Sequence, residues 1–372
     1  MDACAPRAAL VAPLLFMVVN ACDKGAYQAE SAAGGAGSGG TAMSGGGSST
    51  GALPAALPVP PGVSDLPAPS GDAPNLRVLP WAGFQAAVSY TFDDSQPSQI
   101  EHWPALAATG ARMTFYVNSS GKGNAGYAST WLDAIAQGHE IGNHTVNHCH
   151  ATLADCSGAL GSLDEEIDAC SRHIIDDLGQ PSVWTFAYPF GDLGYQSQAS
   201  SRFLLARGVA SGTIGPKDAT SPFNLPTIPA AGGEATSVFT GHIDTASKQG
   251  RWLIFLFHSI LPTAQNWYAG VDIASITGSV EHAKALENVW IDSVAAIGAY
   301  WLGQRAFEAS TPVTDGDGTT WTWELPAYFP EGRRLRVAVD GGTLSQGGQP
   351  LAWDGHGYYE VELDARTLTW TP

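Results

Sequence analysis

Four short segments of this 372-residue chain carry residue types that can do chemistry together. The first is Thr91-Phe92-Asp93-Asp94-Ser95, a pair of carboxylates at the end of the apolar, β-branched run Ala86–Phe92. Adjacent side chains at a strand end point different ways, so one carboxylate can bind a cation while the other handles a proton. An Asp-Asp turn or a helix cap would use the same residues without chemistry. The second is His144-Thr145-Val146-Asn147-His148. Two imidazoles four residues apart converge on one cation if the segment is helical, and two histidines with one carboxylate leave positions open for water and substrate. His139 and His150 are further candidate ligands at spacings that suit a shared face less well. The third, Phe186-Ala187-Tyr188-Pro189-Phe190-Gly191-Asp192, is an aromatic strand end entering a tight turn that can present a backbone N–H to a developing oxyanion. The fourth, Leu256-Phe257-His258-Ser259, places one histidine at the end of a nearly all-apolar strand. It gains meaning only if it faces the other three.

The elements that must hold these segments alternate between strand and helix from about Asn75. Strands are predicted at Ala86–Phe92, Met113–Val117, Glu140–Asn143, Val183–Tyr188 and Leu253–His258. Helices are predicted at Ser98–Thr109, Thr130–Gln137, Ser162–Leu178, near Ser200–Arg207 and over Val280–Arg305. Repeating β/α units with polar residues at strand ends point to a parallel, barrel-like α/β domain, whose chemistry sits at the C-terminal ends of its strands.

In this order the four segments resemble the NodB-homology polysaccharide deacetylases, carbohydrate esterase family 4, over roughly residues 80 to 305. The resemblance implies a distorted, incomplete (β/α) barrel. It implies Asp93 as catalytic base, Asp94, His144 and His148 as metal ligands, and His258 as general acid. The Phe190 N–H would help hold the oxyanion, and Tyr188 and Pro189 would bind substrate. The implied cofactor is a divalent metal, with Zn²⁺ the default for an Asp-His-His site and Co²⁺ or Ni²⁺ also fitting. A base and an acid on opposite sides of the reacting carbon imply a bell-shaped pH–rate profile. The sequence departs from the family pattern at Ala187, where an arginine often orients the base, and at Ser95, where glycine is frequent. Asp218 in Gly-Pro-Lys-Asp-Ala-Thr is a candidate partner for His258.

Composition narrows the partners. The 17 Lys+Arg against 35 Asp+Glu give a net charge of −18, which argues against nucleic acid and against docking on anionic lipid through a basic face. Ala8–Val19 is an apolar run too short to span a bilayer, and Val19-Asn20-Ala21-Cys22 resembles a bacterial lipobox. The expected organisation is therefore a lipoprotein-type signal over 1–22, a tether over 23–75 that is Gly/Ser-rich and then Pro-rich, a catalytic domain over 76–309, and a small all-β domain over 310–372. The protein is expected outside the cytoplasm, either anchored to the cell envelope by a lipid on Cys22, its only contact with a membrane, or secreted, and a monomer is expected. Cys149–Cys156 is the preferred disulfide, Cys170 a buried thiol on a helical face, and a zinc site on these cysteines lacks the usual C-x-x-C pairs. In the tail, Trp321, Trp323, Trp353 and Trp370 either stack on sugars or pack against the catalytic domain. The function that follows is hydrolysis of N-acetyl or O-acetyl groups of an envelope or extracellular polysaccharide, with neutral glycans mildly preferred. Its alternatives are a small-molecule C–N hydrolase and a carbohydrate-binding surface protein whose catalytic site has decayed.

Overall fold

The computed structural model describes residues 53–120, 127–154 and 156–372; the signal, Cys22 and the glycine-rich segment lie outside the described residues. Seven strands close a parallel ring: β1 (Ala86–Asp93), β2 (Thr114–Val117), β3 (Glu140–Asn143), β4 (Thr185–Ala187), β5 (Leu205–Ser211), β6 (Leu225–Pro229) and β7 (Trp252–Phe257). The ring shuts where β7 lies beside β1 in register from Ala87↔Trp252 to Phe92↔Phe257. Every residue of β1 and β7 is buried, as strands covered on both faces require. The other edge of β1 is shared. Its first half pairs with β8 (Val289–Ile291) and its second half with β2. Between β3 and β4 only Asn143↔Phe186 are paired, so the barrel is distorted there.

The predicted helix over Val280–Arg305 is in fact two helices, Ile273–Ala285 and Val294–Glu308, with β8 between them. The β-branched and aromatic Val289-Trp290-Ile291 is the signal that helical periodicity hid. Residues near Ser200–Arg207 are likewise not one helix. A short helix ends at Ser200 and β5 begins at Leu205. The helix predicted over Ser98–Thr109 is broken at His102 into Pro97–Glu101 and Trp103–Ala108, the second opening on Pro104. Helix α1 (Leu163–Arg172) starts where Ser162 accepts from the Glu165 N–H, with three acidic residues in its first turn.

C-terminal to the helix Val294–Glu308 the chain forms two antiparallel sheets. They share one apolar core with that helix and with Trp252 and Trp290, and Trp321, Trp323 and Trp370 are buried in it. Phe307 lies between Trp321 and Trp323, at ring distances of 6.4 and 5.3 Å. The Trp323 and Trp370 indole N–H groups donate to Leu363 O and Gly341 O. These tryptophans are core, so sugar stacking on them is excluded by burial. Trp353 is spoken for as well, its indole N–H donating to Leu66 O at 2.8 Å. From Leu53 onward the proline-rich stretch is not a free spacer. Its carbonyls at Leu53 and Pro54 accept from Arg333, and that of Pro58 accepts from Arg336, a guanidinium buried over the Tyr358 ring. Prolines leave carbonyls without ladder partners, and two arginines satisfy them. Among the described residues no helix is long and apolar enough to cross a membrane.

At the floor of the barrel, the wholly buried Glu140 carboxyl accepts from Thr185, Thr114 and the Ala295 N–H. Burial pushes it up to about 7, against the opposing pull of those donors. The folded chain therefore holds a proton that the unfolded chain has released, and stability falls as pH rises from the ordinary glutamate range through 7. Urea unfolding of wild type and Glu140→Gln at pH 5 and pH 8 should show wild type losing on the order of 3 kcal/mol relative to the variant. Parallel pH dependence of the two proteins would contradict this.

Candidate active site

The chemistry-bearing segments converge at the C-terminal ends of the strands. A cavity of ≈ 580 Å³ is lined by Asp93, Asp94, His144, His148, Tyr188, Phe190 and His258 together with Val209, Pro229, Ala230, Leu256 and Tyr268. Of the residues to which the resemblance gives a role in the site, only Pro189 does not line it; it is buried at the start of the turn that carries Phe190. Tyr188 reaches the cavity with its ring, while its hydroxyl donates to Phe223 O at 2.8 Å.

The two carboxylates separate because the backbone turns sharply between them. Asp93 ends β1, and Asp94 and Ser95 adopt left-handed φ values of 74° and 51°. Asp94 Oδ1 then lies 3.3 Å from His144 Nε2 and 3.4 Å from His148 Nε2. The histidine pair does not converge through a helix. It lies in an irregular segment in which Thr145 and His148 have φ of 66° and 53°, and this winding brings the two rings to 4.6 Å. His139 is no ligand, since its Nδ1 accepts from the Met113 N–H beneath Trp103. His150 stacks on Phe190 at 4.0 Å.

The donor set fits a divalent cation. Ligand atoms of Asp94, His144 and His148 lie within 4.8 Å of one another. Asp94 Oδ1 is buried and accepts no hydrogen bond, which leaves a lone-pair site aimed between two imidazoles. His144 Nδ1 lies 2.8 Å from Ala187 O and donates to it, which leaves Nε2 as the nitrogen that faces the site. Burial alone would raise the Asp94 carboxyl, but the imidazoles of His144 and His148 that face it carry it well below the usual range. Burial, and then the neighbouring His144, hold His148 down at about 4, so it offers a neutral ring at pH 7.

Asp93 has a different partner. Its Oδ1 accepts from the Arg207 guanidinium, both groups are buried, and Oδ2 lies 3.7 Å from His144 Nε2. Arg207 is the residue that sequence reading missed. It stands on β5 directly beside Ala187 of β4 in the register of the sheet, so the cation absent from position 187 is supplied by the neighbouring strand. The signal was a single arginine directly after the apolar run Phe203–Ala206, which marks a buried strand.

His258 follows β7 on the far wall, its ring edge-on to Tyr268 at 4.8 Å. Burial lowers it below the ordinary imidazole range, although Asp93 and Asp94 draw it upward. Its Nδ1 is buried and unpartnered. Asp218 is not its partner. It caps the Gly215 N–H and pairs with Arg251, next to the first residue of β7 and so at the opposite end of the barrel.

Residues 84–205 match the family model described as polysaccharide deacetylase. That match supports the reading of the barrel as a polysaccharide deacetylase of the NodB-homology type, carbohydrate esterase family 4. Over 166 residues the chain is 30% identical to a gellan lyase of a Bacillus species, a match covering 44% of this chain and 6% of that protein. Among solved structures, the Xyl-CE4 domain of a multidomain xylanase from the hindgut metagenome of Trinervitermes trinervoides is similar at TM-score 0.40 and 14% identity, covering 57% of this chain and 88% of that one. A family 4 carbohydrate esterase from Streptomyces lividans in complex with acetate is similar at TM-score 0.38 and 18% identity, covering 56% and 92%.

The relocated arginine makes a direct prediction. With Asp93 in the role of base that the resemblance implies, Arg207→Ala should lower kcat/KM for acetyl release about 100-fold, because Asp93 loses its orientation and its countercharge. Adding Ala187→Arg, on the adjacent strand at the same level, should recover part of the loss. Full activity in Arg207→Ala would rule out this role.

Proposed function

We propose that this chain is a metal-dependent deacetylase that hydrolyses acetyl groups of an extracellular or cell-envelope polysaccharide. The observation that carries the reading is the convergence of Asp94, His144 and His148 in one cavity with the Asp93–Arg207 pair and His258. Asp94, His144 and His148 would hold a divalent ion, which would supply Lewis acidity toward water and the acetyl carbonyl. Asp93, oriented by Arg207, accepts the proton of the attacking water as its oxygen bonds to the acetyl carbon. The carbonyl electron pair moves onto oxygen, where the Phe190 N–H, presented by a turn with φ of 56°, donates. The oxyanion pair then re-forms the carbonyl and the bond from the acetyl carbon to the sugar's nitrogen or oxygen breaks, His258, as imidazolium, giving its proton to that departing atom. The products are acetate and a free amine or hydroxyl.

The rim supports an uncharged glycan. Val209, Pro229, Ala230 and Leu256 are apolar, and Phe190 and Tyr268 remain 56% and 63% exposed where a sugar face can stack. With Arg207 in place of the arginine absent at 187, the reading of a decayed site loses its motive. The Cys149–Cys156 disulfide supports an oxidising compartment, consistent with export through the apolar leader and anchoring at Cys22. Acetate release should be measured with metal-loaded protein on N-acetylglucosamine polymers, peptidoglycan and O-acetylated xylan. Release from at least one polymer, abolished by chelation and by Asp93→Asn, is expected. Equal release by Asp93→Asn, or none from any polymer, would refute the proposal.

A further inference from the structure

The two histidines of the cation site are fixed by different means. His144 continues the edge of β3, its N–H donating to Val117 O at 3.0 Å and its ring tied to Ala187 O. The barrel itself therefore places it. His148 stands four residues further along, in a left-handed conformation that a non-glycine residue holds only when its surroundings impose it.

Those surroundings centre on Glu166, the wholly buried glutamate of the first turn of α1. Its Oε2 accepts from the backbone N–H groups of Val146 at 3.1 Å and Asn147 at 2.8 Å. Its Oε1 accepts from Asn147 Nδ2 at 2.9 Å and from the Leu160 N–H at 2.8 Å. The carboxylate thus gathers donors from both ends of the loop that carries His148. Asn147 Nδ2 also donates across that loop to Gly158 O at 2.9 Å. Immediately after His148, the Cys149–Cys156 disulfide closes the same loop. His148 is held on one flank by Glu166 and on the other by a covalent bond.

We infer that Glu166 is a positioning residue for the cation site: by collecting four N–H groups it fixes the backbone before His148 and so sets the affinity for the divalent ion. The inference rests on the metal reading above. Glutamine has the shape of glutamate but presents an amide N–H₂ to N–H donors, so it cannot satisfy the same set. Partners that orient a metal ligand usually govern affinity by roughly 10–100-fold.

The test is a Zn²⁺ competition titration of the metal-free full chain against a chromophoric chelator, with the visible spectrum of the Co²⁺-loaded protein as a second readout. Wild type and the exposed control Glu165→Gln should bind one equivalent equally tightly. Glu166→Gln should bind roughly 10–100-fold more weakly, with an altered Co²⁺ spectrum. Asn147→Ala leaves Glu166 its three backbone donors and should show a smaller loss; it serves if Glu166→Gln does not fold. Wild-type affinity and an unchanged spectrum in Glu166→Gln, or in Asn147→Ala where that variant stands in, would overturn the inference alone. Absence of binding by wild type would overturn the metal reading and this inference with it.

Discussion

A carboxylate and a guanidinium that are both shut away from water are tied to each other, because either alone would be an uncompensated buried charge. Asp93 and Arg207 form such a pair across the lumen of the barrel, joining β1 to a strand on the other side of the ring. The pair divides the work of two adjacent aspartates. With Arg207 on its Oδ1, Asp93 is committed to the guanidinium, and in the proposed reaction it is the one that handles protons. Asp94, turned away by left-handed backbone, is committed to the imidazoles. Arg207 also lies over the Tyr116 ring, 4.6 Å from its centre, so its flat face is covered as well as its charge.

Three more buried carboxylates hold the frame around that pair, each by a different means. Glu140 closes the floor by accepting from β2, β4 and the start of the last long helix. Glu166 binds the loop after β3 to α1. Asp292, just after β8, is met by Arg112 just before β2, which secures the strand inserted along the edge of β1. A short, distorted barrel has few ladder hydrogen bonds between β3 and β4, and side chains make up the difference. The C-terminal sheets add a second apolar core behind the barrel rather than a separate surface.

The site was legible where chemistry demands particular residues at particular strand ends: Asp93, Asp94, His144, His148 and His258 all meet in the cavity. Its geometry was less legible. A four-residue histidine spacing suggests a helix, yet convergence comes from two left-handed residues held by tertiary contacts that no local pattern encodes. Arg207 escaped because its role depends on which strand lies beside β4, a matter of sheet register rather than sequence neighbourhood. Helical periodicity was similarly blind to β8, a three-residue strand between two helices. The tryptophans of the tail and the docked proline-rich stretch show the same limit, since burial against distant residues decided both. Cysteine counting did better: Cys149 pairs with Cys156, and Cys170 is a buried thiol pushed up to about 12 by its surroundings.

The central claim is that the cation is held by Asp94, His144 and His148, while Arg207 keeps Asp93 out of its coordination. A crystal structure of the protein with one equivalent of zinc, with anomalous scattering to locate the ion, tests this most directly. The account predicts the ion on Asp94 Oδ1 and the Nε2 atoms of His144 and His148, with Asp93 still paired to Arg207. An ion coordinated by Asp93, or bound away from these three residues, would contradict it.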